Sequence, residues 1–191
     1  MRLFVAIEIA PPVIEAAQAL VGELGTRAQS LAPQARITWI PPQLMHLTVR
    51  FIGEAGASDL HLVTGALAAP IPVPPIPLTL SGVGAFPARG SPRVIWGAIT
   101  AGAAELTEVE RELSARLRRI GVGPDDRAFT PHLTLARVRE PADLRTEALL
   151  AGFETRPLGT SRVDAITLFE SRLSAKGPTY VPIHRTPLRA G

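Results

Sequence analysis

The sequence predicts a mixed fold, α+β or α/β, and three observations carry that reading. Runs rich in β-formers alternate along the chain with runs of helical periodicity. No linker divides the 191 residues into independent parts, and that length fits one domain or one domain of two lobes. One tetrapeptide pattern occurs twice, once in each half: His46-Leu47-Thr48-Val49 and His132-Leu133-Thr134-Leu135.

Arg2 to Ile9 is predicted as the first strand. Its apolar part is broken at Glu8 and followed by Pro11-Pro12, too short for a signal segment or a bilayer span. The proline pair opens a helix to Ser30, with Val13, Ala17, Leu20 and Leu24 on one stripe. Ile37 to Ile40 and His46 to Ile52 are predicted strands, ended by Pro41-Pro42 and Gly53. Residues 58–69 form a helix with Leu60, Val63 and Leu67 as its apolar row. Pro70 to Pro77 holds five prolines and reads as a stiff connector rather than a central strand.

Leu78 to Phe86 and Arg93 to Thr100 are predicted strands around the turn Pro87 to Pro92. Residues 103–120 give the clearest helix, with Leu106, Val109, Leu113, Leu117 and Ile120 on one side. Its glutamates lie early and its arginines late, as the helix dipole favours, and Gly121 ends it. Phe129 to Val138 is a strand, Ala142 to Leu150 a helix, and Val163 to Leu173 and Tyr180 to His184 are closing strands.

Composition narrows the chemistry. Hydrophobic residues make up 46% and charged residues 19%, which is globular rather than disordered. The chain has no cysteine, which removes disulfides, thiolate metal sites and a cysteine nucleophile, and fits a cytoplasmic location. Lys176 is the only lysine. It lies in Ser174-Ala175-Lys176-Gly177-Pro178, a turn signal. No G-x-x-x-x-G-K-[ST] or G-x-G-x-x-G run is present, so lysyl-adenylate and P-loop chemistry are not expected. The net charge is +3, too small by itself to demand a polyanionic partner.

Residues i and i+2 of a strand share a face. Each tetrapeptide therefore turns an imidazole and a hydroxyl one way and two aliphatics the other. Two such strands facing each other make a cleft with two imidazoles and two hydroxyls. Histidine titrates near neutrality, so one accepts a proton while the other donates one. The threonine hydroxyls suit the non-bridging oxygens of a phosphodiester. A third H-x-T at His184-Arg185-Thr186 reads as chance, since Arg185 and Pro187 replace the buried aliphatics. His61 reads as a surface histidine on a helix.

These motifs resemble the 2H phosphoesterase superfamily, and more closely its LigT-like RNA 2′,3′-cyclic phosphodiesterases. The resemblance begins at Met1 to Ile7 and continues through His46 to Glu54. It includes Phe86-Pro87 with Pro92 to Trp96, then Phe129 to Arg137, and ends with Leu168 to Ser171, Gly177 and Tyr180. It implies one bilobal α+β domain over residues 1–191, with two pseudo-symmetric lobes, each with an antiparallel sheet and helices. One motif sits in each lobe (46–49 and 132–135), with the active-site cleft between them. It implies hydrolysis of a terminal 2′,3′-cyclic phosphate to a 2′-phosphate without metal or other cofactor, and 2′-5′ RNA ligation without ATP. Its convention makes His46 the proton donor and His132 the acceptor, with Thr48 and Thr134 on the phosphate oxygens.

The expected partner is an RNA or oligonucleotide end bearing a cyclic phosphate, met by a monomer away from membranes. Arg50, Arg137 and Phe129 are candidate substrate contacts, with Phe51 as a second stacking candidate and Trp39 at the cleft mouth. In a regular strand Arg50 shares the face of His46 and Thr48, whereas Arg137 has the opposite parity to His132 and reaches the cleft only from a strand end or bulge. The alternatives are a metal-dependent hydrolase, a non-catalytic RNA-end-binding module, and a phosphodiesterase acting on 2′-5′ oligoadenylates or other small cyclic phosphates.

Overall fold

The computed structural model describes residues 1–124, 128–175 and 177–189. Its elements in chain order are β1 (Arg2–Ile7), α1 (Pro11–Leu31), β2 (Arg36–Trp39), β3 (Leu47–Glu54), α2 (Ala57–Ala66), β4 (Ile76–Phe86), β5 (Val94–Ala101), α3 (Ala103–Arg119), β6 (His132–Glu140), α4 (Thr146–Leu150), β7 (Pro157–Val163), β8 (Ala165–Ser174) and β9 (Gly177–Pro187). The class is α+β. One sheet has the order β3-β1-β8-β9 and the other β2-β6-β5-β4-β7. Every pairing between neighbouring strands is antiparallel.

The helices form where the apolar stripes place them. Val13, Ala17, Leu20 and Leu24 of α1 are all buried, and that face lies against β7 and α4. Leu106, Val109, Leu113 and Leu117 of α3 are buried, and α3 packs on β3. So the helix between β1 and β2 covers the second sheet, while the helix between β5 and β6 covers the first. Gly121 follows α3 with φ +87°, a left-handed conformation that glycine adopts without a Cβ penalty. Arg116 reaches from α3 to the carbonyls of Ala69 and Pro70, which pins the proline-rich connector. Ile71 and Val73 of that connector are buried. Among the described residues no helix is long and apolar enough to cross a membrane.

The structure differs from expectation in five places. β7 was not foreseen: its Gly-Thr-Ser-Arg centre lacks apolar alternation, and it forms because β4 offers it a pairing edge. Pro77 lies inside β4, an interior strand. There β4 pairs with β7 alone, and pairing with β5 begins at Thr79, so the missing N–H costs no ladder bond on that side. The helix expected from Ala142 begins only at Thr146, because Ala142 adopts φ +47° in a turn. β6 begins at His132, which leaves Phe129 outside it. Gly53 does not end β3, which runs to Glu54. The turn expected at Lys176 includes a residue outside the described ones.

Candidate active site

The two sheets enclose a cavity of about 890 Å³. The first sheet contributes Phe4, His46, Thr48, Phe51 and Tyr180; the second contributes Trp39, Thr134, Arg137 and Arg139. His132 lies two residues before Thr134 on the same face of β6, in a stretch of regular pairing with Trp96, Gly97 and Ala98 of β5. The two H-x-T motifs thus come from opposite walls.

Each imidazole is oriented by the same local device. The Nδ1–H of His46 donates to the carbonyl of Leu44 at 2.8 Å, and that of His132 to the carbonyl of Thr130 at 2.7 Å. Each acceptor lies two residues before its histidine. A carbonyl only accepts, so Nδ1 carries the proton and Nε2 is the titrating nitrogen in both rings. On His46, Nε2 accepts from the Thr48 hydroxyl at 3.1 Å.

Each ring is also flanked by two aromatics. Phe4 and Tyr180 stand 5.1 Å from His46, with Tyr180 perpendicular to it. Phe86 and Trp96 stand 5.5 and 6.2 Å from His132. This burial holds both histidines below the ordinary histidine range, against the opposing pull of the Leu44 and Thr130 carbonyls. The positive charge of Arg137 lowers both further. Arg137 is thus within electrostatic reach of both rings.

Two bulges decide the arginines: one overturns the expectation for Arg50, and the other is the bulge through which Arg137 was expected to reach the cleft. In β3, Ala6 pairs with Thr48 and Val5 with Arg50, which leaves Val49 unmatched. In β6, Trp96 pairs with Thr134 and Ile95 with Ala136, which leaves Leu135 unmatched. An extra residue turns every later side chain to the other face. Arg50 therefore points into the protein, 4% exposed. It faces Glu110 at 3.9 Å and donates to the carbonyl of Gly123. Arg137 is turned into the cleft instead. Phe51, at the matching position of β3, is 57% exposed and lines the cavity.

Phe129 is half-buried against the hydrophobic core and is not part of the cavity wall, so Phe51 is the better placed of the two stacking candidates. Trp39 packs partly on the core and lines the cleft. His184 and Thr186 both bond the carbonyl of Leu67 at the end of α2, which gives the third H-x-T a helix-capping place. His61 is exposed on α2. Residue reasoning assigned no role to Phe4, Tyr180, Phe86 or Trp96. Their signal lay in the aromatic positions of the segments that carry the family resemblance: Tyr180 is the only tyrosine in the chain.

The RNA 2′,3′-cyclic phosphodiesterase of Archaeoglobus fulgidus is 30% identical over 184 residues, covering 94% of this chain and 96% of that protein. E. coli LigT in its apo form matches with a TM-score of 0.72 at 26% identity, covering 98% of this chain and 96% of that one. LigT complexed with 3′-AMP matches with a TM-score of 0.70 at 26% identity over the same shares. A family model described as the 2′-5′ RNA ligase superfamily matches residues 10–174. On the shared fold, the sequence relatives and that match across most of its length, the chain belongs to the 2′-5′ RNA ligase superfamily.

Proposed function

We propose that this chain is an RNA 2′,3′-cyclic phosphodiesterase that opens a terminal cyclic phosphate to a 2′-phosphate by two-histidine acid–base catalysis. The observation that carries the reading is the matched pair of imidazoles, each with Nδ1 held by a backbone carbonyl and each beside a threonine that lines the same cavity as Arg137. The names of its relatives support the activity, and LigT complexed with 3′-AMP supports nucleotide binding.

Water attacks phosphorus in line with the 3′-oxygen. Nε2 of His132 takes the proton of the water as the new P–O bond forms. Nε2–H of His46 gives its proton to the 3′-oxygen as the old bond breaks. A protonated Nε2 no longer accepts from Thr48, so that hydroxyl is released to a phosphate oxygen. Thr134 serves another, and Arg137 offsets the charge that develops on the phosphoryl group. The division of roles between the histidines follows the family resemblance. With a 5′-hydroxyl in place of water, the same attack yields a 2′-5′ phosphodiester and needs no ATP.

The test is hydrolysis of an oligonucleotide ending in a 2′,3′-cyclic phosphate, in EDTA, with the product assigned by phosphorus NMR. The expected product is a 2′-phosphate, lost in His46→Ala and in His132→Ala while both variants stay folded. A 3′-phosphate would reverse the leaving group. Turnover that vanishes in EDTA and returns with a divalent metal would replace the acid–base pair with a metal site.

A further inference from the structure

The cleft wall on the second sheet carries two guanidinium groups where one reacting phosphate needs one. Arg137 and Arg139 both line the cavity from β6, two residues apart. Among the described residues neither makes an ion pair, whereas Arg2, the third arginine of the cavity, does. Their relation to the histidines differs. Arg137 lowers both His46 and His132, whereas Arg139 is a perturbing charge for neither. In the pairing of β6 with β2, Arg137 lies opposite Thr38, whereas Arg139 is an unmatched residue farther along, between the Ile37–Val138 and Arg36–Glu140 pairs.

The opposite wall has another character. Phe4, Phe51 and Tyr180 line it, and its one arginine in the cavity, Arg2, is bonded to Glu54 at 3.2 Å. Bases favour aromatic surface and phosphates favour arginine forks, so the two walls suit the two sides of one nucleotide strand. A cyclic mononucleotide has a single phosphate and leaves Arg139 without a counter-charge. A chain extending from its 5′ side supplies a second.

We propose that Arg139 binds the phosphodiester preceding the terminal nucleotide and thereby sets how strongly an oligonucleotide end is preferred over a free cyclic nucleotide. The inference rests on the phosphodiesterase reading and deepens it.

The experiment compares Arg139→Ala and Arg139→Lys with the unaltered protein on two substrates. One is a 2′,3′-cyclic mononucleotide and the other a trinucleotide ending in the same cyclic nucleotide. The expected result is that Arg139→Ala lowers the trinucleotide-to-mononucleotide ratio of kcat/KM about tenfold, the loss of one charge-assisted contact, through KM rather than kcat. The slope of log affinity against log salt for the trinucleotide should fall by about 0.7. Arg139→Lys should recover part of the ratio. An unchanged ratio, or equal loss on both substrates, overturns the proposal.

Calorimetry with the unreactive 3′-phosphate forms of the same two ligands separates this from the activity. If neither cyclic substrate turns over, the phosphodiesterase reading fails. A trinucleotide preference in binding that Arg139→Ala abolishes would still uphold the subsite, and its absence would remove it.

Discussion

Phe51 and Arg137 hold corresponding places in the two motif strands, each three residues beyond its threonine and each turned into the cleft by a bulge. The residue one step earlier, Arg50 in β3 and Ala136 in β6, is buried in both. The two halves therefore share a backbone device while placing an aromatic ring at one end of the reaction centre and a cation at the other. That asymmetry on a symmetric frame suits a nucleotide, with an apolar base and an anionic phosphate.

The bulges separate the duties of the two arginines, and thermal melting together with kinetics checks the separation. Removing one partner of a buried pair costs about 3 kcal/mol. In a chain of this length that lowers Tm by about 6–12 °C. Arg50→Ala leaves the part-buried Glu110 with only its Ser114 hydrogen bond and the Gly123 carbonyl without its donor, so its loss should appear as stability. Arg137→Ala should leave Tm nearly unchanged and cut kcat/KM by about 100-fold, the scale of one lost charge-stabilising donor. Wild-type melting with lost activity in Arg50→Ala would place Arg50 in the chemistry after all.

The pH profile follows from the histidine environments. The proposed mechanism needs His132 neutral and His46 protonated, so kcat/KM should be bell-shaped and report the pair. Burial lowers both groups, and Arg137 lowers them further, so the optimum should lie on the acid side of the ordinary histidine value of about 6.5. Arg137→Gln removes a positive charge that opposes protonation. Both groups should then rise, and the whole bell should move to higher pH while losing height. A shift to lower pH would contradict the geometry.

Thr48 bonds Nε2 of His46, and in the proposed reaction its hydroxyl passes to the phosphate. Thr48→Val keeps the shape and removes the hydroxyl, so the rate should fall by about 100-fold with little change in Tm. Thr48→Ser keeps the hydroxyl and should recover most of the rate. Equal damage in both variants would point to packing instead, and single-turnover kinetics on both distinguishes the outcomes.

Trp96 can lie beside His132 because Gly84 opposes it across the sheet. A Cβ on Gly84 would fall 2.3 Å from the Trp96 ring, which a packed aromatic cannot absorb. Gly84→Ala should cost about 1–3 kcal/mol as overpacking and displace the ring from His132. Its proton resonances should shift, and adding Trp96→Val should recover stability but not the ring's contact. Calorimetry and histidine-edited NMR provide the readouts.

Much of this was legible in the residues because it is local. Apolar stripes marked α1 and α3, and the two-residue repeat of a strand put each histidine beside its threonine on one face. The same rule failed for Arg50 and could reach Arg137 only by allowing a bulge, since parity counts residues and the ladder counts pairs. Nothing in Val-Arg-Phe or Leu-Ala-Arg announces a residue that the neighbouring strand will skip. β7 escaped for a related reason: its pairing comes from an edge supplied by β4, not from its own pattern.

The sequence by itself determined the family, the α+β class, the two histidines and two threonines, and the absence of cysteine chemistry. Those properties reside in residue identity and short-range periodicity. Only the tertiary structure decided which nitrogen of each imidazole titrates, which arginine meets the cleft and which is buried, and that Phe51 rather than Phe129 lines the wall. Each of those depends on a partner distant in the chain or on an unmatched residue in a sheet. Hydrogen-bond registry between strands is settled by the packing of both sheets together, so no single strand encodes it.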